Sequence, residues 1–326
     1  MIGKYKIEIE SNKIKYEFEI KRNITIIRGD SATGKTELLR LIGEYFDLEE
    51  ESGISLRCEK VCRVLQGRDW KEKLENINDS IVFIDEINTF TKSEEFAKAI
   101  KDTDNYYVIV TRNNLENLPY SVDEIYGIRE SGKYKGLKKT YNELYKLYEN
   151  ESSIDQSLLD YVIVEDSNSG YEFFKDAFKE LNLSVISAFG KSNIQKELIK
   201  LKNSNLDNRI YVIADGAAFG SQIDRIVRYT KEKGNIFLFL PESFEWLILV
   251  SGILKDAEVD QVLAAPWKYI ESKKYFSWER YFTDFLAKKT ENSYLEYNKK
   301  KLNKVYLHDR NRNKIMELIK KSFVGN

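Results

Sequence analysis

The sequence predicts an α/β protein with two domains built on parallel sheets, followed by a helical C-terminal region. Continuous apolar runs alternate with segments of helical spacing, and this alternation lapses once, in the polar stretch 149–157, before it resumes. The chain has 326 residues, of which 42% are hydrophobic and 32% charged, as is typical of folded domains. We therefore expect domains at 1–148 and 158–265 and a helical region at 266–326.

Composition also limits the location and the chemistry. The N-terminus lacks an apolar leader, and the most apolar stretch, 236–254, contains a proline and two glutamates, so we expect a cytoplasmic protein without a membrane span. The single histidine, His308, excludes chemistry that needs paired histidines. Cys58 and Cys62 have no further thiol or histidine nearby, so core packing is favoured over a zinc site.

The first domain begins with a predicted hairpin, because residues 4–10 and 14–20 alternate apolar and charged side chains around a short polar turn. Three continuous apolar runs follow, and they indicate buried parallel strands with helices between them: 23–28, 80–84 and 106–110.

A glycine-rich loop follows the first of these runs and precedes a helical segment. Its eight residues fit the pattern G-x-x-x-x-G-K-[ST] completely: Gly29, Asp30, Ser31, Ala32, Thr33, Gly34, Lys35 and Thr36. Backbone N–H groups of such a loop converge on phosphate at a helix N-terminus. We expect Lys35 to contact the β- and γ-phosphates of ATP, and the Thr36 hydroxyl to bind Mg²⁺.

An acidic pair ends the second apolar run. Asp85 is expected to join the magnesium shell, and Glu86 to orient or deprotonate the attacking water. The third run ends in Thr111 and Arg112, either of which is a candidate for sensing the γ-phosphate, although a solvated strand end is the simpler interpretation. The order of these motifs resembles the cores of ABC-type and related ATPases over residues 1 to about 130, but no Leu-Ser-Gly-Gly sequence precedes Asp85.

The second domain is predicted as a small parallel sheet with alternating helices. The strand-like runs are 161–164, 183–187, 210–214 and 236–240, and the helical segments are 171–181, 193–202 and 222–231. Glu165 and Asp215 each follow a strand, and the carboxyl ends of parallel strands share one edge of a sheet. We expect the two carboxylates to share a divalent metal of the kind used in phosphodiester chemistry.

These motifs resemble the Toprim domain of topoisomerases, primases and overcoming-lysogenisation-defect nucleases over residues 160–265. That family carries a glutamate after its first strand, matched by Glu165, and Asp-x-Asp-x-x-Gly after a later one, matched by Asp215 and Gly220. Ala217 stands where the second aspartate belongs. Three acids are candidates to replace it, of which the last is the most suitable: Asp166, Asp224 and Glu242. The alternatives are that these acids cap helices and loop N–H groups, or that they form another ligand site.

The C-terminal segment 298–326 contains nine Lys or Arg residues and two acids, a net charge of +7, so the rest of the chain carries −8 of the total of −1. Such a segment can bind phosphate backbones, with Tyr294, Tyr297 and Tyr306 stacking on exposed bases. A solvated helical face is slightly favoured, because the overall pI is about 6.2.

Together these features predict an ATP- and Mg²⁺-dependent hydrolase whose first domain controls a Toprim-like domain that acts on or senses DNA or RNA. The resemblance implies a role in phage defence. The alternative is a nucleotide-dependent switch that binds a protein partner, or a second copy of itself, through a catalytically inactive second domain. A small-molecule kinase is less favoured, because no arginine-rich lid is evident.

Overall fold

The computed structural model describes residues 1–29, 34–131, 139–148, 159–181 and 183–323. The chain divides into two compact units. The first consists of Met1–Tyr148 and Ala265–Ser277, and the second of Glu149–Ala264 and Trp278–Asn326. The polar stretch expected as a linker lies outside the described residues.

The first unit is built on one mixed sheet of nine described strands. They are β1 (Tyr5–Glu10), β2 (Ile14–Ile20), β3 (Ile24–Ile27), β4 (Ser55–Arg57), β5 (Val61–Val64), β6 (Ser80–Ile84), β7 (Tyr106–Val110), β8 (Ile125–Glu130) and β9 (Thr140–Lys146). The helices are α1 (Lys35–Leu48), α2 (Trp70–Glu75) and α3 (Glu94–Lys101). Strand order is β4-β1-β2-β9-β8-β3-β7-β6-β5.

The predicted antiparallel hairpin and the three predicted apolar strands are present, but they belong to a larger, mixed sheet than the parallel sheet with a hairpin that the sequence predicts. Strands β3, β5, β6 and β7 pair in parallel, whereas β1 pairs antiparallel with both β2 and β4, and β8 pairs antiparallel with β9. Four of these strands, β4, β5, β8 and β9, were not predicted. They are short or half-exposed, so they lack the continuous apolar runs that reveal buried parallel strands.

The sheet curls until its two edges approach each other. Strands β4 and β5 stand at opposite ends of the strand order, yet only residues 58–60 connect them. A chain segment of this length reaches at most about 15 Å, so the edge strands must lie within that distance. Helix α1 packs against this curl, and its Leu38, Leu41 and Ile42 share one core with residues of β1, β2 and β5.

The second unit contains the parallel four-stranded sheet that the sequence predicts, in the order β11-β10-β12-β13. Its elements are β10 (Tyr161–Val164), α4 (Ser169–Ala177), β11 (Ser184–Ser187), α5 (Ile194–Ser204), β12 (Ile210–Ile213), α6 (Gly220–Lys233), β13 (Ile236–Phe239), α7 (Phe244–Val250), α8 (Ala257–Ala264), α9 (Trp278–Thr290) and α10 (Asp309–Phe323). The predicted C-terminal helices are therefore present.

Within the described part of the chain, no helix combines the length and the apolar character needed to cross a bilayer.

Candidate functional site

Strand order gathers the predicted phosphate-binding and acidic residues of the first unit. Strand β7 lies between β3 and β6 and runs parallel to both, so the carboxyl ends of all three strands share one edge. Gly29 follows β3, Thr111 and Arg112 follow β7, and Asp85 and Glu86 follow β6. The edge therefore carries the first glycine of the glycine-rich motif, a cation and two acids on consecutive strands.

Lys35 is the first residue of α1, directly after the glycine-rich loop. Its buried side chain donates a hydrogen bond from Nζ to the carbonyl oxygen of Gly29 at 2.8 Å, which joins the two ends of the loop. The loop residues Asp30, Ser31, Ala32 and Thr33 lie outside the described residues. Thr36 belongs to the first turn of α1.

Tyr16 supports the start of α1 from the hairpin. It is buried in β2, and its hydroxyl donates a hydrogen bond to the carbonyl oxygen of Gly34 at 2.8 Å. Burial raises the pKa of Tyr16 to about 12, so the hydroxyl stays a donor at neutral pH. Gly34 has a φ of 87°, and a Cβ there would lie 2.7 Å from the tyrosine oxygen, so only glycine fits. Sequence reasoning missed this contact, because Tyr16 looks like any apolar residue of the alternation.

Glu86 and Arg112 form an ion pair across the neighbouring ends of β6 and β7, with 3.2 Å between Glu86 Oε2 and Arg112 Nε. Thr111 is buried, and its hydroxyl accepts a hydrogen bond from the N–H of Asn113 at 3.0 Å, so it shapes the turn. Of the two candidates on this strand end, Arg112 is the one that contacts an acid of the candidate site.

The turn after β6 is held by Asn88. Its amide donates to the carbonyl oxygen of Asp85 at 3.1 Å, and its Oδ1 accepts from the N–H of Gly67 at 3.2 Å. These two hydrogen bonds attach the loop that follows β5 to the turn that carries Asp85 and Glu86. An open concavity of about 900 Å³ adjoins this turn, and its lining includes the stacked rings of Trp70 and Phe90, which lie 4.9 Å apart.

In the second unit, Glu165 and Asp215 meet at the edge where β10 and β12 end. Glu165 Oε2 accepts a hydrogen bond from the N–H of Asp215 at 3.1 Å, and Asp215 Oδ1 accepts one from the N–H of Phe244 at 3.2 Å. Each acid thus satisfies a loop or helix-end N–H group, as the simpler interpretation expects, while remaining beside the other.

Both carboxyls are difficult to ionise. Burial raises the pKa of Glu165 to about 7, and the negative charge of Glu279 adds to the shift. Burial also raises the pKa of Asp215 well above its usual value, followed by repulsion from Glu279, Glu165 and Glu245, while Lys299 lowers it. A positive charge added at the edge where β10 and β12 end would therefore stabilise the ionised forms of Glu165 and Asp215.

Two acids and a lysine that the sequence did not reveal complete this cluster. Glu245 on α7 is 1% exposed; its Oε1 accepts from the Tyr297 hydroxyl at 2.8 Å, and its Oε2 is buried without a hydrogen-bond partner. Lys299 Nζ lies 2.7 Å from Glu279 Oε1 on α9 and 3.7 Å from Glu245 Oε1. Burial opposes the charge of Lys299, but Glu245, Glu279 and Asp215 raise its pKa above the usual value.

Two of the acids proposed to replace the missing aspartate make other contacts. Asp166 accepts hydrogen bonds from the N–H groups of Ser167, Asn168 and Gly170, so it organises its own loop. Ala217, which stands at the aspartate position, is buried. Asp224 pairs with Arg228 on the same helix, α6. The negative charges that raise the pKa of Asp215 most are instead those of Glu279, Glu165 and Glu245.

Glu165 and Asp215 also line a small cavity of about 10 Å³, which suits one water molecule. Among the described residues, no group of three or more Asp, Glu, His or Cys side chains is arranged to hold a metal ion. A metal bound here would be held by Glu165 and Asp215, supplemented by water or a substrate oxygen.

Two of the three tyrosines expected to stack on bases are in the protein core. Tyr297 and Tyr306 are buried, and Tyr306 donates its hydroxyl to the carbonyl oxygen of Leu295 at 2.6 Å. Tyr294 alone of the three is exposed, at 75%. Part of the basic charge is also committed to internal pairs, since Arg312 contacts Asp176 and Glu180.

Comparisons with protein-family models, curated proteins and solved structures found no match to this chain.

Proposed function

We propose that the first unit binds and hydrolyses ATP. The observation that carries the proposal is the shared sheet edge, on which the glycine-rich loop, the Glu86–Arg112 pair and Asp85 occupy three adjacent parallel strands. The N-terminus of α1 favours phosphate oxygens, and Lys35 at its first position adds a positive charge. Bound Mg²⁺, held by Thr36 and Asp85, would neutralise charge on the phosphates.

In this reaction Glu86 orients a water molecule and accepts its proton as the water oxygen bonds to the γ-phosphorus of ATP. The bond between the γ-phosphorus and the oxygen that stays with ADP breaks. Arg112 holds the Glu86 carboxylate at 3.2 Å, and its positive charge on the neighbouring strand end would attract a phosphate oxygen. Tyr16 positions the helix start through its hydrogen bond to Gly34.

We propose further that the second unit uses Glu165 and Asp215 as ligands of one divalent metal, and acts on or senses nucleic acid. The raised pKa of Glu165 and the unpartnered buried oxygen of Glu245 support this, because both indicate more negative charge than Lys299 alone offsets. The role in phage defence stays a prediction from the resemblance.

A second candidate is a nucleotide-dependent switch whose second unit is catalytically inactive and binds a protein. Three observations favour it: Ala217 removes a ligand, Asp166 is committed to its own loop, and the Lys299 ammonium stands within 4 Å of Glu245 and Glu279. The lysine thus already supplies one positive charge to the cluster.

One set of assays separates these candidates. ATP hydrolysis and cleavage of single- and double-stranded DNA and RNA are measured together for wild type, Lys35→Ala, Glu165→Ala and the exposed control Glu232→Ala. Cleavage that Glu165→Ala abolishes, with ATP hydrolysis retained, supports the metal-dependent second unit. ATP hydrolysis without cleavage, and with no response to nucleic acid at low salt, supports the switch. Hydrolysis that survives in Lys35→Ala contradicts the ATPase proposal itself.

A further inference from the structure

The cysteines lie at a distinctive place in the first unit. Cys58 belongs to the short connection that crosses from β4, at one edge of the curled sheet, to β5, at the other edge, and Cys62 is the second residue of β5. The pair therefore spans the seam where the two edges approach each other. Both side chains pack on the core that contains α1, Cys62 within it and Cys58 against it.

The local geometry directs both sulfur atoms toward the backbone of one residue, Lys60. Cys58 Sγ accepts a hydrogen bond from the N–H of Lys60 at 3.5 Å, and Cys62 Sγ donates to the carbonyl oxygen of Lys60 at 3.8 Å. Each thiol is also the largest single cause of the pKa shift of the other, so the two groups lie close together. Residues 58–60 form a bend without helix or strand pairing, so no regular backbone hydrogen bonds oppose the adjustment that a disulfide requires.

The two thiols differ in their surroundings. Cys58 is half-buried and reachable from solvent, whereas Cys62 is 3% exposed. The neighbouring Cys62 thiol lowers the pKa of Cys58 to about 7, while Cys58 and burial raise the pKa of Cys62. Cys58 is thus the nucleophile and Cys62 the sulfur that resolves it.

We propose that Cys58 and Cys62 form a redox modification site that a hydroperoxide oxidises to an intramolecular disulfide across the seam of the sheet. The Cys58 thiolate attacks the peroxide, so an S–O bond forms, the O–O bond breaks, and water or an alcohol leaves after taking up a proton. The Cys62 sulfur then attacks the sulfenic sulfur, the S–S bond forms, and the hydroxyl leaves as water with the Cys62 proton. Two electrons pass from the thiol pair to the peroxide.

This inference is independent of the proposed ATPase, because its test follows sulfur chemistry alone. The full-length chain is treated with hydrogen peroxide in the presence of dimedone, which traps sulfenic acid, and is analysed by intact mass, peptide mapping and non-reducing electrophoresis. Wild type, Cys58→Ser and Cys62→Ala are compared, with Cys62→Ser as a second variant if the alanine variant does not fold.

Wild type is expected to lose both free thiols without gaining oxygen, to remain monomeric on the gel, and to regain the thiols with dithiothreitol. Cys62→Ala should accumulate the dimedone adduct at Cys58, and Cys58→Ser should oxidise at Cys62 at least about tenfold more slowly than wild type. Covalent dimers in wild type, a stable adduct in place of the disulfide, or equally fast oxidation of Cys58→Ser would overturn the proposal.

Discussion

Replacing Glu165 with Gln should make the second unit more stable at about pH 8 and leave its stability nearly unchanged at about pH 4. The physical reason is the cost of ionising this carboxyl in the folded state, where burial and Glu279 raise its pKa to about 7. Gln keeps an oxygen that can accept the hydrogen bond from the N–H of Asp215, so the substitution removes the charge while preserving the contact.

The magnitude follows from linkage between protonation and folding. The pKa of Glu165 rises from 4.5 to about 7, so the folded state binds a proton more tightly than the unfolded state does. The resulting stability is fully present below 4.5 and is lost as the pH rises through about 7. At about 1.4 kcal/mol for each pKa unit the upper bound is about 3–4 kcal/mol, and partial solvent access and coupling to Asp215 reduce the expected gain to about 1–2 kcal/mol.

Urea unfolding followed by pulsed hydrogen exchange of peptides from β10 and β12 measures the second unit by itself. The matched control is Glu232→Gln, an exposed acid near the end of α6 that should change stability at neither pH. If Glu165→Gln destabilised the unit at pH 8, or stabilised it equally at both pH values, the burial and repulsion assigned to this carboxyl would be refuted.

Three further substitutions test individual contacts. Arg112→Ala should leave the melting temperature unchanged but slow ATP hydrolysis by about tenfold or more, because an exposed ion pair adds little stability while positioning matters to the reaction; unchanged turnover would contradict its role. Gly34→Ala should cost about 2 kcal/mol or more, because its Cβ would lie 2.7 Å from a tyrosine oxygen at a φ of 87°. Gly53→Ala, with a φ of 67° and nothing within 4 Å of the added Cβ, should cost only about 1 kcal/mol, so equal shifts in thermal unfolding would exclude the steric contact. Tyr297→Phe should destabilise by about 1–3 kcal/mol, because it leaves a buried carboxylate oxygen without its donor; the exposed Tyr294→Phe should change stability by at most about 0.5 kcal/mol in the same denaturant titration.

Local sequence patterns were sufficient where an element is buried on both faces. The four strands of the second sheet were predicted to within one residue at each end, because continuous apolar runs such as Ile210–Ile213 stand between helical segments. The same reasoning placed Glu165 and Asp215 at a common edge, since parallel strands align their carboxyl ends.

Contacts between residues far apart in the chain could not be predicted from local sequence patterns. Glu245, Glu279 and Lys299 lie on separate segments after the sheet, and no spacing rule joins a glutamate on α7 to a lysine more than fifty residues later. Their grouping depends on how α7 and α9 pack, and packing is decided by shape as well as by hydrophobic pattern. A buried glutamate flanked by apolar residues, as in Phe244–Val250, was the one available signal.

The curl of the first sheet was missed for a related reason. Its edge strands β4 and β5 have three and four residues and are only partly buried, so their sequences resemble loops. The position of Cys58 and Cys62 at the seam follows from strand order alone, which the sequence pattern did not determine.

The proposed ATPase depends most on Glu86, which activates water at the sheet edge where β3, β6 and β7 end and where the glycine-rich motif begins. The most direct measurement compares equilibrium ATP binding with single-turnover hydrolysis for wild type and Glu86→Gln, with Mg²⁺ present. The variant is expected to bind ATP with nearly the affinity of wild type and to hydrolyse it at least about 100-fold more slowly, because the amide cannot accept the proton. Hydrolysis at the wild-type rate by Glu86→Gln, or wild-type protein that binds no ATP, would contradict this role of Glu86.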